Sequence, residues 1–287
     1  APGVLMDEKK ETLVFTYTNT YKTLDDLNQE EMQLGGLRIN PVTNIASAVT
    51  YINNLKIRKI QEQDAIQVKG LPDNPKITYL TWSPDEKKLA FTNTISNAVE
   101  LWVLDVATAT ASKVTDKALN ANLGRPFNWY KDNQSLLVKT VPANRPALID
   151  GKKGNPAGPT ISVSDGYNSQ NRTYADILKN KTDEANFETL VTSELYKIYL
   201  GGQAELFKGK DMYMSESFSP DGNYLLVTTI LKPFSYIVPL NRFPMKSNVY
   251  DLSGKLIKLV NDVPLNEVMP KGFMAVRQGK RNMNWRS

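Results

Sequence analysis

Residues Thr81–Thr115 read TWSPDEKKLAFTNTISNAVELWVLDVATATASKVT, and they contain in order every part of one four-stranded antiparallel sheet. Pro84 presets the backbone φ angle of a tight turn, and the Asp85 carboxylate can accept a hydrogen bond from the backbone just beyond it. The apolar runs Leu89–Phe91 and Leu101–Leu104 suit strands that are buried on at least one face. Such a sheet cannot bury both faces alone, so the sequence predicts neighbouring sheets of the same kind.

The opening of this stretch recurs along the chain. Residues Ser217–Gly222 read SFSPDG, which restates TWSPDE, and Phe127–Lys139, FNWYKDNQSLLVK, is a weaker copy. Trp129 follows Trp82 by 47 positions, close to the spacing of about 40–45 residues that is typical of propeller blades. Met283–Ser287, MNWRS, has the pattern of one more opening strand. The sequence therefore predicts an all-β fold, an incomplete β-propeller of about four four-stranded blades with short helical insertions.

The predicted blades follow one another in a single partial propeller domain, residues 1–287. They cover residues of about 4–70, 76–116, 126–207 and 210–262, and a further blade begins at 283–287.

The connections between the predicted strands are less regular. The spacing of apolar residues predicts a helix within Leu24–Gln33, and two short helices are expected at Asn171–Leu178 and Asp183–Leu190. Asn53-Asn54 is expected at a hairpin tip. Pro142–Ser169 is rich in proline and glycine, and a loop of this length is more often functional than idle.

Composition excludes several kinds of active site. The chain contains no histidine and no cysteine, which excludes Ser–His–Asp and Cys–His catalysis within it, disulfides, and zinc sites built from histidine or thiolate ligands. The oxygen-rich sequence of a calcium-binding loop is also missing. The sequence therefore predicts no cofactor and no metal.

Charge and hydropathy limit the kinds of partner that the sequence predicts. The formal net charge is only +5 and the lysines and arginines are spread along the chain, which is not the basic stripe of a nucleic-acid-binding protein. No run approaches the roughly 18 apolar residues of a membrane span, and Ala1–Val4 does not begin a signal peptide. Neither nucleic acid nor membrane is a predicted partner.

One stretch carries a more specific resemblance. Lys232–Pro244, KPFSYIVPLNRFP, together with Asn171–Leu178, NRTYADIL, and Val276–Arg286, VRQGKRNMNWR, resembles the glutamyl-endopeptidase branch of the prolyl oligopeptidase family. The resemblance runs from roughly Leu34 to the last residue. Members of this family are serine peptidases in which a β-propeller sits over an α/β-hydrolase domain. The resemblance implies that the propeller narrows the access of peptides to the serine and lends side chains to the substrate.

The catalytic residues of such a peptidase have no counterpart here. The sequence contains no G-x-S-x-G segment and no histidine, whereas the hydrolase domain carries both. We therefore expect an N-terminal propeller portion of such a peptidase, with the catalytic α/β-hydrolase domain absent and no catalytic residue in this chain. A free-standing propeller that serves as a protein-interaction scaffold is the alternative.

The resemblance also implies partners and a compartment. The partners are a peptide substrate, the remaining blades of the propeller and the hydrolase domain. An open ring of blades also predicts self-association through unpaired blade edges. If the source is bacterial, a periplasmic or exported location is favoured.

Arg242 is the first candidate for a residue that binds substrate. A pocket that selects glutamate needs a cation, and the planar guanidinium group of arginine can hold a carboxylate through two hydrogen bonds. Arg242 lies between Leu240 and Phe243 in the most family-like stretch, and Pro239 and Pro244 fix the backbone on either side. The alternative is that Arg242 pairs with a carboxylate inside its own blade.

Four further residues are weaker candidates. Arg281 and Arg286 are the other arginines considered for substrate binding. Tyr236 and Asn241 can line the path of the substrate, although packing in the core explains them equally well. The tryptophans, in contrast, recur at structural positions of the repeat and are expected to pack between blades.

Overall fold

We describe a computed structural model of the chain over residues 2–151, 174–268, 280 and 283–286. The helices are α1, Leu24–Leu27, and α2, Lys181–Val191, with a 3-10 helix at Leu240–Arg242. The strands in chain order are β1 Gly3–Met6, β2 Thr12–Thr18, β3 Met32–Leu34, β4 Leu37–Asn40, β5 Ile45–Ala46, β6 Ile52–Lys59, β7 Ile66–Gln67, β8 Ile77–Trp82, β9 Lys88–Ile95, β10 Ala98–Asp105, β11 Thr110–Lys113, β12 Phe127–Trp129, β13 Ser135–Thr140, β14 Ser193–Tyr199, β15 Ala204–Asp211, β16 Tyr213–Phe218, β17 Tyr224–Ile230, β18 Met245–Asp251 and β19 Leu256–Val263.

The strands form an incomplete all-β propeller, as the repeat predicts. Strands β12-β13-β14-β15 form one four-stranded antiparallel sheet and β16-β17-β18-β19 form another. The earlier strands form a longer sheet in the order β1-β2-β6-β8-β9-β10-β11, with β7 paired to β6. This sheet has two halves, because β6 and β8 share only the residue pair Ile52 and Ile77. We refer to β1-β2-β6-β7, β8–β11, β12–β15 and β16–β19 as blades 1 to 4.

The hydrophobic core lies between successive blades. Strand β9 shows how the sequence produces this arrangement: Leu89 and Phe91 pack in a cluster with Val14 and Leu55 of blade 1, whereas Ala90 packs in a cluster with residues of blade 3. Side chains alternate across a strand, so a continuous apolar run supplies both faces. A third cluster joins blades 3 and 4, and its buried members are Tyr130, Leu137, Leu195, Tyr213, Leu225 and Val227.

The turn between the first and second strands has the same geometry in blades 2, 3 and 4. One residue in each turn has a positive φ angle: 61° at Glu86, 58° at Asn133 and 77° at Gly222. The preceding aspartate of each turn accepts a hydrogen bond from the backbone N–H two residues further on. These pairs are Asp85 with Lys87 at 3.1 Å, Asp132 with Gln134 at 2.8 Å and Asp221 with Asn223 at 3.1 Å.

The connection between the second and third strands is long in blades 1, 3 and 4. It covers residues 19–51 in blade 1, 141–192 in blade 3 and 231–244 in blade 4. Because neighbouring strands are antiparallel, these connections lie at the end of the blades opposite to the tight turns. We refer to this side of the propeller as the insertion face. Its strands β3, β4 and β5 form a separate three-stranded sheet.

The insertions of blades 1, 3 and 4 pack together in one hydrophobic core. The insertion of blade 1 supplies two buried residues, that of blade 3 four and that of blade 4 four; Ile230 of β17 and Met212, which joins blades 3 and 4, complete the cluster. The buried members are Leu34, Ile39, Leu178, Phe187, Leu190, Val191, Met212, Ile230, Phe234, Val238, Leu240 and Phe243. We refer to this cluster as the insertion core.

Local predictions in the insertions are partly confirmed and partly wrong. The helix expected within Leu24–Gln33 is present but covers only Leu24–Leu27, since Met32–Leu34 pairs with β4. Asn53-Asn54 lies inside the continuous strand β6 and not at a hairpin tip, because that strand pairs with β2. Residues 171–173 of the expected helix Asn171–Leu178 lie outside the described residues, and the rest of it is not helical.

Of the remaining predictions for the insertions, one agrees with the structure and one falls largely on residues outside the described ones. Asp183–Leu190 lies within α2, where Asn180 caps the first turn by accepting from the N–H of Asp183 at 2.9 Å. Residues 152–169 of the predicted long loop lie outside the described residues. Within the described part of the chain, no helix is long and apolar enough to cross a membrane.

Candidate functional site on the insertion face

A glycine pair positions the family-like stretch against the insertion of blade 1. Gly35 and Gly36 join β3 to β4 with φ angles of 62° and 86°. The carbonyl of Gly35 accepts from the N–H of Leu240 at 2.8 Å, and the N–H of Gly36 donates to the carbonyl of Asp176 at 2.7 Å. A Cβ atom at Gly36 would lie 2.8 Å from Cβ of Pro239. The close approach therefore requires glycine there.

Contacts among three phenylalanines hold the family-like stretch Lys232–Pro244 against α2. Phe234 and Phe243 lie at the two ends of the stretch, and both contact Phe187 of α2 with ring centroids 5.1 Å and 5.7 Å apart and the rings nearly perpendicular. The centroids of Phe234 and Phe243 are 5.3 Å from each other. Edge-to-face contacts of this kind stabilise beyond the area that they bury, so the segment between the two rings is held at both ends.

Arg242 lies in the 3-10 helix of this segment. Its backbone is held by hydrogen bonds on both sides: its N–H donates to the carbonyl of Pro239 at 3.0 Å, and its carbonyl accepts from the N–H of Asn266 at 3.0 Å. The guanidinium carbon lies 6.0 Å from the ring centroid of Tyr174. No carboxylate of the described residues lies within ion-pairing distance of Arg242. The backbone is thus fixed, and the side chain is partly exposed.

Tyr236 and Asn241 have different surroundings. Tyr236 is 37% exposed, and Nζ of Lys181 lies 5.7 Å from its ring centroid, at the start of α2. Asn241 is exposed and lines a cavity of about 420 Å³ on the outer face of blade 4, together with Ser215 and Thr228. The structure does not gather these two residues around one cavity.

Of the two C-terminal candidates, the structure describes Arg286. Arg286 is exposed and follows Trp285, whose indole N–H donates to the carbonyl of Ser217 at 3.0 Å. The same bond occurs between blades 2 and 3, where the indole N–H of Trp129 donates to the carbonyl of Thr81 at 3.1 Å. Residues 283–286 therefore contact blade 4 as the first strand of blade 3 contacts blade 2. Arg281 lies outside the described residues.

Arg145 is a cation on the insertion face that the sequence analysis missed. It follows β13, and its guanidinium group donates a hydrogen bond to Oδ1 of Asn44. Burial lowers the pKa of Arg145, and no carboxylate of the described residues forms an ion pair with it. Pro142 and Pro146 bracket it in the sequence. Prolines also bracket Arg242, and this pattern is the signal in the sequence that could have found Arg145.

A polar network connects the first strands of blades 2, 3 and 4. Arg125 donates to Oγ1 of Thr81 at 3.2 Å and to Oδ1 of Asn128 at 3.0 Å, and Nδ2 of Asn128 donates to the carbonyl of Glu216 at 3.2 Å. The carboxylate of Glu216 forms an ion pair with Lys139, with 3.4 Å between Oε2 and Nζ. These contacts fix the blades relative to one another, and with them the insertion face.

Two curated relatives match the sequence over nearly its whole length. A protein of Oryza sativa subsp. japonica named probable glutamyl endopeptidase, chloroplastic, is 32% identical over 299 residues, which cover 99% of this chain and 32% of that protein. A protein of Arabidopsis thaliana with the same name is 33% identical over 299 residues, covering 100% of this chain and 31% of that protein. The chain thus spans about a third of the length of these relatives.

Solved structures with a similar backbone are more distant. Pyrococcus horikoshii acylaminoacyl peptidase matches 92% of this chain and 33% of its own with a TM-score of 0.49 and 15% identity. Prolyl oligopeptidase B from Galerina marginata matches 90% of this chain and 27% of its own with a TM-score of 0.45 and 10% identity.

No family model matches the sequence. The similarity to the two plant proteins nevertheless extends from end to end of the chain, and the strands form the blades that the resemblance implies. The chain is therefore similar from end to end to about a third of two proteins that are named probable glutamyl endopeptidase, and its strands form a partial β-propeller.

Proposed function

We propose that this chain is the propeller portion of a serine peptidase, that it controls the access of peptides to a hydrolase domain, and that it contributes to the selection of glutamate. The partners in this proposal are a peptide, further blades and the hydrolase domain. An exported or periplasmic location, predicted for a bacterial source, also stays a proposal, which cell fractionation tests. The names of the plant relatives place those two proteins in the chloroplast.

The proposal rests on the surroundings of Arg242, whose backbone is fixed and whose guanidinium group has no carboxylate partner among the described residues. Its backbone is held on both sides, and the described residues supply its guanidinium group with an aromatic ring and no carboxylate. A glutamate side chain of a peptide would provide the missing counter-charge, and the guanidinium group matches its two oxygens. The anchored backbone reduces the entropy that binding must overcome.

The test compares two peptides that differ only in one side chain. The 287-residue chain is titrated into a fluorescein-labelled peptide that contains a single glutamate, and into the same peptide with glutamine there, and binding is followed by fluorescence anisotropy. We expect the glutamate peptide to bind about tenfold more tightly, since hydrogen bonds to a charged group are worth about 1.5–3 kcal/mol. Arg242→Ala should abolish that difference.

Two further variants serve as controls. Arg242→Lys keeps the charge but loses the planar pair of donors, so it should retain only part of the preference. Arg38→Ala removes an arginine of the same face that is already paired with Asp176 at 2.8 Å, and it should leave the preference intact. An unchanged preference for glutamate in Arg242→Ala would contradict the proposed role of Arg242.

A further inference from the structure

We propose that the guanidinium group of Arg145 is a second receptor for a carboxylate on the insertion face, and that it binds an acidic side chain of the peptide other than the one that Arg242 selects. The inference deepens the proposed function and rests on it. It assigns to the propeller a preference for peptides with two acidic side chains.

Unfilled hydrogen-bonding capacity is the first argument. A guanidinium group has five N–H donors and always carries its charge. In the described structure one neutral oxygen, Oδ1 of Asn44, accepts from Arg145, and the group is partly buried. A partly buried charge without a counter-charge is unfavourable. A carboxylate supplies two acceptor oxygens and the counter-charge together.

The rigidity of Asn44 is the second argument. Asn44 is buried, its N–H donates to the carbonyl of Asn40 at 2.9 Å, and its own carbonyl accepts from the N–H of Ala121 at 2.8 Å. The next residue, Ile45, forms a parallel bridge with Ala121. The acceptor that orients the guanidinium group is therefore fixed by backbone contacts with the linker between blades 2 and 3. A receptor held by such supports is pre-organised for its ligand.

Arg38 shows what a structural arginine of the same face looks like. Its guanidinium group lies 2.8 Å from Oδ2 of Asp176 and 3.7 Å from Oε1 of Glu31, and these carboxylates raise the pKa of Arg38. Arg145 differs in both respects, since burial lowers its pKa and the described residues give it no carboxylate. The comparison indicates that the counter-charge of Arg145 comes from a ligand.

The experiment distinguishes binding at Arg242 from binding at Arg145 by moving a second glutamate along the peptide. Labelled peptides keep one fixed glutamate and carry either glutamate or glutamine at each other position in turn, and their binding to the 287-residue chain is followed by fluorescence anisotropy. For at least one position we expect the second glutamate to tighten binding about tenfold. Arg145→Met should lose this second preference and keep the first, whereas Arg242→Ala should lose the first and keep the second.

Thermal unfolding distinguishes a binding role of Arg145 from a structural one, because only a structural role predicts a lower Tm for Arg145→Met. Methionine is long and apolar and needs no hydrogen-bonding partner, so Arg145→Met should have a Tm at least equal to that of the wild type. The matched control, Arg38→Met, should keep both binding preferences. A drop of several degrees in the Tm of Arg145→Met would show that the guanidinium group holds Asn44 in place, and this result would overturn the inference.

The binding data give two further results that would overturn it. Retention of the second preference by Arg145→Met contradicts the inference alone and leaves the proposed function standing. Failure of the wild-type chain to bind any of the peptides contradicts the proposed function, and the inference falls with it. The two failures are thus distinguishable within one set of titrations.

Discussion

Lys139 and Glu216 form an ion pair that is almost completely removed from water. Each side chain is 3% exposed, and the pair connects β13 of blade 3 with β16 of blade 4. Oε1 of Glu216 has no hydrogen-bonding partner among the described residues. Burial raises the pKa of Glu216, and the ammonium group of Lys139 opposes this shift without cancelling it. Desolvation thus exceeds the attraction between the charges.

The raised pKa of Glu216 predicts how stability changes with pH. Between the ordinary value of 4.5 and the higher pKa in the folded chain, the folded state holds a proton that the unfolded state has lost. The contribution of this group to stability is therefore complete below the ordinary value and declines as pH rises through the window. Glu216→Gln cannot titrate. We expect the free energy of unfolding of the wild type, measured relative to this variant by urea denaturation, to fall as pH rises above about 4.5.

An exposed glutamate provides the control for this measurement. Glu62 is exposed, and Glu62→Gln should follow the wild type through the same pH range. A constant difference between wild type and Glu216→Gln would contradict the assignment and indicate that Glu216 stays ionised in the folded chain throughout.

The sequence revealed some of the candidate residues and not others, for physical reasons. Arg242 stood out because prolines bracket it within a stretch that resembles a known family. Arg145 has similar prolines, but its partner Asn44 lies 101 positions away. Only the folded chain brings the two residues together, so no local pattern could show that Arg145 lacks a carboxylate among the described residues.

At the scale of the element, the turn at Asp132 shows how one carboxylate shapes a blade. It accepts from the N–H groups of Gln134 and Ser135 at 2.8 Å and 2.9 Å, and from the hydroxyl of Ser135 at 2.6 Å. Burial alone would raise the pKa of Asp132, but these hydrogen bonds outweigh it and the pKa is lowered. The turn that leads into β13 is therefore stabilised by the ionised form.

Removal of this carboxylate should weaken blade 3. We expect Asp132→Ala to lower the free energy of unfolding at pH 7 by about 1–3 kcal/mol, because buried donors of the turn lose their acceptor. The lowered pKa adds stability that is present above the ordinary value of 3.8 and lost as pH falls through the folded-state value. The difference between wild type and variant should therefore shrink in acid, as measured by urea denaturation.

Asp64→Ala serves as the matched control, since Asp64 is exposed and this substitution should change stability by less than about 0.5 kcal/mol. Equal stability of Asp132→Ala and wild type at pH 7 would contradict the role of the turn.

The elements that the sequence predicted well are those set by local chemistry. The Ser-Pro-Asp turns and the alternating strands follow from hydrogen bonds and side-chain periods within a few residues. The insertions follow other rules: Met32–Leu34 pairs with β4, and Asn53-Asn54 lies in β6 because of its pairing with β2. Long-range pairing overrides local preference there. The division into blades at about 4–70, 76–116, 126–207 and 210–262 stays a prediction.

At the scale of the whole molecule, the outermost strand of blade 4 presents apolar side chains at an edge that pairs with no further strand among the described residues. Strand β19 has eight residues, and three of its aliphatic side chains are about half exposed: Leu256 at 54%, Ile257 at 50% and Leu259 at 48%. Blade 2 ends instead in β11, which has four residues and a buried alanine at its second position. Long apolar edges pair readily with other strands.

We expect this edge to cause self-association. The molar mass from multi-angle light scattering should rise with protein concentration, because edge strands of two chains can complete each other's hydrogen bonds. Leu256→Lys combined with Leu259→Lys should reduce the association, since charged side chains disfavour edge pairing. Leu24→Lys, at a side chain that is 84% exposed on the insertion face, is the control and should associate like the wild type. A monomer at every concentration would contradict the prediction.

The insertion core has a consequence for how the molecule unfolds. In an array of repeats in which each one contacts only its neighbours, stability is close to a sum of nearest-neighbour contributions, and the repeats can melt one after another. Here Leu34 from blade 1, Phe187 from blade 3 and Phe243 from blade 4 pack in a single cluster. Blade 1 cannot detach without breaking the packing of blade 4, so the insertions turn a linear array into one cooperative unit.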